Sequence, residues 1–300
     1  LIFSAITLKA PQIIHVINRL FQTLILGIAW IQWNIHAAEE PSPSRIVPYK
    51  QVGSSSLYLH VFNPKGHSIQ DRTPAIVFFF GGGWNGGTPK QFYPQSAYLA
   101  TRGMVAICAE YRTKSSHQTT PKACVKDGKS AMRWVRYHAN DLGIDPNKIA
   151  AGGGSAGGHV AATTATIKSF DAPLDPGVDA APQALILFNP VYDNGPDGYG
   201  HDRVKDYWKK FSPMHNLHDD VPPTIVFLGT KDKLIPVKTG QSFQSRMQRL
   251  NLRSELVLYE KEGHGFFNKN KFNETLFETD RFLTSLGFLK EDPTIEAAQR

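Results

Sequence analysis

Ser155 stands in the middle of GGGSAGGH, residues 152–159, with glycine at 153 and 157. A G-x-S-x-G spacing suits a sharp strand-to-helix turn that pushes a hydroxyl into view. The central residue is strained, and side chains two positions away on either side would collide. The chemistry this permits is nucleophilic attack on an acyl carbonyl, helped by the N-terminus of the helix that follows. A nucleophilic serine needs a base, and the base needs an orienting carboxylate. Asp232 lies three residues past the apolar run TIVFLG, and His264 lies between two glycines after ELVLY. The order Ser155, Asp232, His264 is the chain order expected for this arrangement on an α/β sheet. Acyl transfer also needs N–H donors aimed at the oxyanion. Ala156, just after the serine, supplies one. Gly81 and Gly82 in GGGW, residues 81–84, are the candidates for the rest, with Gly83 a further option. Trp84 beside them is a candidate lining for an acyl or sugar pocket. Taken singly, a glycine turn, a turn aspartate and a loop histidine are ordinary features. The signal is that all of them fall at the ends of separate apolar runs.

Those runs are the elements that must position the site. AIVFFF (75–80), MVAICA (104–109), KIAAG (148–152), ALILFN (184–189), TIVFLG (224–229) and ELVLY (255–259) are continuous apolar stretches, as suits strands buried on both faces of a parallel sheet. IVPYKQV and LYLHVF, joined by GSSS, predict an antiparallel pair before them. Helical segments lie between: 89–103, 124–143 with Gly143 as its C-terminal cap, the alanine-rich stretch after Ser155, 237–251, and 273–287. The pattern predicts an α/β class fold: a mostly parallel, eight-stranded sheet with helices on both faces and its site at the carboxyl edge. Asp127 and Arg133 are expected to form a bracing salt bridge, and Trp134 to pack in the core.

Composition narrows the class. The chain has 300 residues, 41% hydrophobic and 20% charged, which are globular proportions. Its net charge of +7 comes from basic residues spread along the chain with no block of five or six, so no nucleic-acid partner is expected. Two cysteines, Cys108 and Cys124, exclude a disulfide scaffold or a cysteine metal site, and buried free thiols are expected. LFQTLILGIAWIQW (20–33) follows Lys9 and Arg19 and precedes Ala37 and Ala38. This reads as a secretory signal peptide over 1–37, with 38–300 as a single catalytic domain, secreted or periplasmic. An uncleaved leader acting as a membrane anchor is the alternative; with the leader removed, no stable membrane insertion is expected.

At GGGSAGGH, AEYR (109–112), DGKSAMRWVR (127–136), GTKDKLIP (229–236) and GHGFF (263–267) the chain closely resembles the alpha/beta-hydrolase superfamily. It looks most like the esterase branch with the hormone-sensitive-lipase-like and acetyl-xylan or feruloyl esterase-like enzymes. The resemblance covers about residues 45–290 and implies carboxylic-ester hydrolysis through an acyl-enzyme. Many relatives have histidine before the three glycines, where this chain has Phe80, so the loop must be held by packing instead.

The expected reaction needs no metal and no organic cofactor, and its rate should rise with pH as His264 loses its proton. The longest insertion at the site's edge, residues 192–223, carries Tyr199, Tyr207 and Trp208 and makes only a minimal cap. An open site on an exported chain suits a bulky or polymeric substrate, so the expected reaction removes acetyl or similar short acyl groups, borne on a small molecule or a carbohydrate. Two alternatives share the fold: a serine peptidase of the prolyl-oligopeptidase type, and a non-catalytic binding protein. The oligomeric state has no sequence signal.

Overall fold

Eight segments, most of them rich in β-branched and aromatic residues, become the strands of one sheet in the computed structural model, which describes residues 40–296. The leader expected over 1–37 lies outside the described residues. From Pro41 on they belong to one compact unit. In chain order the strands are β1 (Arg45–Val52), β2 (Ser55–Phe62), β3 (Thr73–Phe79), β4 (Val105–Ala109), β5 (Ile144–Gly154), β6 (Ala184–Phe188), β7 (Thr224–Gly229) and β8 (Ser254–Tyr259). The helices between them are α1 (Tyr93–Thr101), α2 (Pro121–Tyr137), α3 (Ala156–Thr166), α4 (Val237–Arg249) and α5 (Phe272–Ser285).

The spatial order is β1-β2-β4-β3-β5-β6-β7-β8. β2 runs antiparallel to both β1 and β4, and all later pairings are parallel. Alternate side chains of each strand feed two separate cores. Val77, Phe79, Ile107 and Leu187 pack with Val125, Val160 and Phe243 from α2, α3 and α4. Ile76, Phe78, Ile186 and Phe227 pack with Leu99 of α1 and Phe282 of α5 on the other face. Because both faces are covered, β3, β4, β6 and β7 are apolar along nearly their whole length.

Two expectations need correction. The helix read over 124–143 ends at Tyr137, because His138 leaves helical geometry at φ −92°, ψ 21°. A separate turn, Ala139–Leu142, then ends at Gly143, which takes the left-handed conformation as expected of a cap. No long helix covers the crossover from β6 to β7 among the described residues. Short turns at His201–Val204, Trp208–Lys210 and Pro213–His215 fill it, forming the insertion. Asp127 does not pair with Arg133. Its fully buried carboxylate accepts from Arg112 Nε at 2.7 Å and lies 2.8 Å from Lys50 Nζ. Arg133 faces away, to Asp171 and Asp175, which lie in the loop before β6. Cys108 and Cys124 are free and buried, and burial pushes the Cys108 thiol up to about 12.

Candidate active site

β5 ends against α3 with one residue between them, Ser155. It sits at φ 54°, ψ −120°, a strained conformation for a residue with a side chain. The surroundings hold it there: its N–H donates to Phe188 O at 2.9 Å, and its carbonyl accepts from His159 and Val191 N–H at 3.0 and 3.1 Å. The flanking glycines are required by contact. A methyl on Gly153 would lie 2.5 Å from Gly157 O, and one on Gly157 would lie 2.1 Å from Phe79 O.

His264 follows β8 and Asp232 follows β7, so three strand ends converge on the serine. Ser155 Oγ lies 2.9 Å from His264 Nε2. His264 Nδ1 lies 2.7 Å from Asp232 Oδ2. The Asp232 side chain is fully buried. Its other oxygen, Oδ1, accepts the N–H groups of Leu234 and Ile235 at 2.8 and 3.0 Å, which fixes the carboxylate plane. An ionised carboxylate only accepts, so Nδ1 carries the proton and Nε2 offers its lone pair to the serine hydroxyl. The three expected residues are therefore together and in the right order of contact for base-assisted nucleophilic attack.

One residue of the site was not singled out in the sequence. Asn189, at the end of β6, is completely buried with φ 35°. Its Oδ1 accepts from Gly265 N–H at 3.1 Å, and its Nδ2 lies 3.2 Å from His264 Nε2. It thus steadies the histidine loop from the strand next to the serine. The available signal was a polar residue closing the apolar run ALILF.

The glycine loop after β3 faces the serine, but its donors differ from expectation. The Gly81 N–H, read as an oxyanion donor, is donated to Gln91 Oε1 at 2.6 Å, so it is not free. Gly82, Gly83 and Ala156 donate their N–H to no acceptor among the described residues. They are the donors the loop leaves open. Gly82 takes φ +130° and Gly83 φ +63°, both in territory that favours glycine. Trp84 does not line an open pocket: it is 2% exposed. Its ring packs edge-on against His159 and Phe211, with the Arg203 guanidinium 4.9 Å above it. Its role is to wedge the glycine loop against α3 and the insertion. Phe80 stacks on Tyr111 at 4.1 Å, as packing in place of hydrogen bonding would require.

His159, last residue of GGGSAGGH, is the buried partner beneath Trp84. Its Nε2–H donates to Phe211 O at 3.1 Å, and burial lowers its pKa to about 3. The unfolded chain holds that proton near the ordinary histidine value of about 6.5. Between these values the unfolded state binds more protons, so the contribution to stability is complete above about 6.5 and is lost as pH falls. Urea unfolding between pH 7.5 and 5 should show stability declining toward acid, by up to about 1.4 kcal/mol per pH unit from this group. His159→Gln should flatten that slope; an unchanged slope would contradict the assignment.

Among the described residues one group could gather metal-ligand atoms, His218, Asp219 and Asp220, within 4.8 Å of one another. It falls within the insertion, shortly before β7, and its two aspartates are exposed. No helix among the described residues is long and apolar enough to cross a membrane.

The BD-FAE family model matches residues 59–193, from β2 to just past Asn189. Esterase LipQ of Mycobacterium tuberculosis is 30% identical over 223 residues, covering 67% of this chain and 52% of that protein. The chain thus spans about half the length of the curated relatives it matches. Two solved structures of esterase 2 from the Planctomycetes species Thermogutta terrifontis are similar over nearly their whole length. The propionate-bound form is 42% identical, covering 85% of this chain and 98% of that one, with a TM-score of 0.80. The form phosphoramylated by tabun is 42% identical, covering 86% and 99%, with a TM-score of 0.81.

Proposed function

Because this chain belongs to the alpha/beta-hydrolase superfamily, in its esterase and lipase branch, we propose that it is a serine carboxylic-ester hydrolase working through an acyl-enzyme. The observation that carries this is the unbroken relay from Ser155 Oγ to His264 Nε2 and from His264 Nδ1 to Asp232. Ser155 attacks the ester carbonyl as His264 takes its proton. Asp232 steadies the imidazolium, and the N–H groups of Gly82, Gly83 and Ala156 receive the oxyanion. His264 then gives the proton to the leaving alcohol. Water, deprotonated by the same histidine, releases the acid and restores the serine. The similar esterase that reacts covalently with an organophosphorus agent supports the nucleophile.

The acyl group is short in this proposal. Structures of the similar Thermogutta esterase with propionate and with butyrate bound support that reading. The acetyl-type ester on a carbohydrate, and action outside the cytoplasm, belong to the same proposal and rest on sequence pattern.

p-Nitrophenyl esters from acetate to decanoate test it. The expected result is kcat/KM highest from acetate to butyrate and falling at least tenfold by octanoate, as roughly 1–3 kcal/mol of misfit per methylene-sized change allows. A maximum at octanoate or beyond would overturn the short-acyl reading. Acetate release from an acetylated glycan tests the carbohydrate arm, and its absence beside strong p-nitrophenyl acetate hydrolysis would remove that arm.

A further inference from the structure

The peptide unit that leads into the glycine loop is gripped at both ends by side chains. Its carbonyl, Phe80 O, accepts from Tyr111 Oη at 2.5 Å. Its N–H, that of Gly81, donates to Gln91 Oε1 at 2.6 Å. The two grips come from different elements. Tyr111 follows β4, and Gln91 lies in the turn Pro89–Phe92 before α1. Tyr111 is almost wholly buried, and its ring is fixed against Phe80 at an interplanar angle of 12°.

The next peptide units show why this matters. The Gly82 carbonyl accepts from Asn85 and Gly86 N–H at 3.0 and 3.3 Å, which turns the N–H at the opposite end of that unit, Gly83's, away from those bonds. The Gly83 carbonyl accepts from Arg203 Nη1 at 2.7 Å. The unit carrying the Gly82 N–H has no such bond of its own at either end among the described residues. Its plane is set through Gly81, a residue with wide backbone freedom. Gly81 in turn is pressed against the nucleophile turn: a methyl there would lie 2.9 Å from Gly154 O and 3.3 Å from Ser155 Cβ.

We propose that Gln91 and Tyr111 act as a paired clamp on the Phe80–Gly81 peptide, and that this clamp aims the Gly82 N–H, and with it the Gly83 N–H, at the oxyanion formed on Ser155. Both are positioning residues and neither touches substrate. The proposal rests on the acyl-transfer reading above. It explains how a loop preceded by phenylalanine is oriented without a hydrogen bond from that side chain. Packing by Phe80 sets the position of the loop, while the clamp on its main chain sets the orientation.

Gln91→Met removes the acceptor with little change of volume, and Tyr111→Phe removes the hydroxyl while keeping the ring stack. Each should lower kcat for p-nitrophenyl butyrate roughly 10- to 100-fold, less than the 10²–10³-fold of deleting an oxyanion donor, with KM within about threefold. A trifluoromethyl ketone, whose hemiketal oxyanion on Ser155 needs the same donors, should weaken in parallel with kcat/KM. The double variant should cost little more than the worse single one, since one released end already frees the peptide. Ser155→Ala in the same assay separates the two ideas. If wild type shows no Ser155-dependent hydrolysis, the acyl-transfer reading falls and the clamp with it. If wild type is active and both variants match it, the clamp alone falls. Losses that multiply in the double variant, or that follow the thermal midpoint while ketone affinity stays constant, would also overturn it.

Discussion

Ser155→Ala is expected to lower kcat for short p-nitrophenyl esters by about 10⁶-fold, leaving only the residual rate that oxyanion donors and binding provide. The expectation follows from how much of the local structure serves this one hydroxyl. The residue stands at positive φ, fastened through its own N–H and carbonyl to β6 and α3. Its glycine neighbours are spaced so that nothing larger fits. Alanine occupies the same backbone and makes the same main-chain bonds, so folding should be unaffected. KM should change little, because the hydroxyl's recorded contact is with His264, not with a binding wall. Steady-state kinetics beside a thermal melt check this. A variant that keeps more than about 1% of wild-type kcat would be far outside the loss expected for a nucleophile.

Asp232→Asn is expected to lower kcat by about 10⁴-fold, with little loss of stability. Asp232 Oδ1 accepts two backbone N–H groups, from Leu234 and Ile235. An asparagine keeps its carbonyl oxygen on those donors, so its amide NH₂ must face His264 Nδ1. That nitrogen then has to accept, the imidazole proton moves to Nε2, and Nε2 can no longer take the proton of Ser155. The chemistry fails by tautomer rather than by displacement. Asp232→Ala provides the contrast: it loses the backbone bonds as well, so it should lower the thermal midpoint while Asp232→Asn leaves it nearly unchanged. Equal kcat for Asp232→Asn and wild type would mean that the 2.7 Å contact does not orient the base.

The sheet was legible because strands buried on two faces read as unbroken apolar runs. AIVFFF, ALILFN and TIVFLG mark β3, β6 and β7 to within a residue or two. Ser155, Asp232 and His264 were legible for a related reason. Each follows such a run, so a parallel sheet must deliver them to the same edge. What escaped the sequence depends on direction within the fold. Gly81 and Gly82 look alike as letters, yet one N–H is captured and the other left open, and the captor is Gln91, ten residues on. Nothing in PKQFY sets that glutamine apart from a surface side chain. Asp127 and Arg133 lie six apart on one helix, which does not place them on one face. The aspartate turns inward to Arg112 and the arginine outward to Asp171. Trp84 stood next to the glycines in sequence, but a backbone at φ 59° turns its ring down onto His159.

The proposed activity requires a covalent bond to one oxygen, Ser155 Oγ. The most direct measurement is intact-protein mass spectrometry after treatment with a fluorophosphonate, followed by peptide mapping. The expected result is a single adduct on the peptide bearing Ser155, absent in Ser155→Ala and formed at least 10²-fold more slowly in His264→Ala, where no base takes the proton. An unmodified wild-type protein, or an adduct on any other residue, would contradict it.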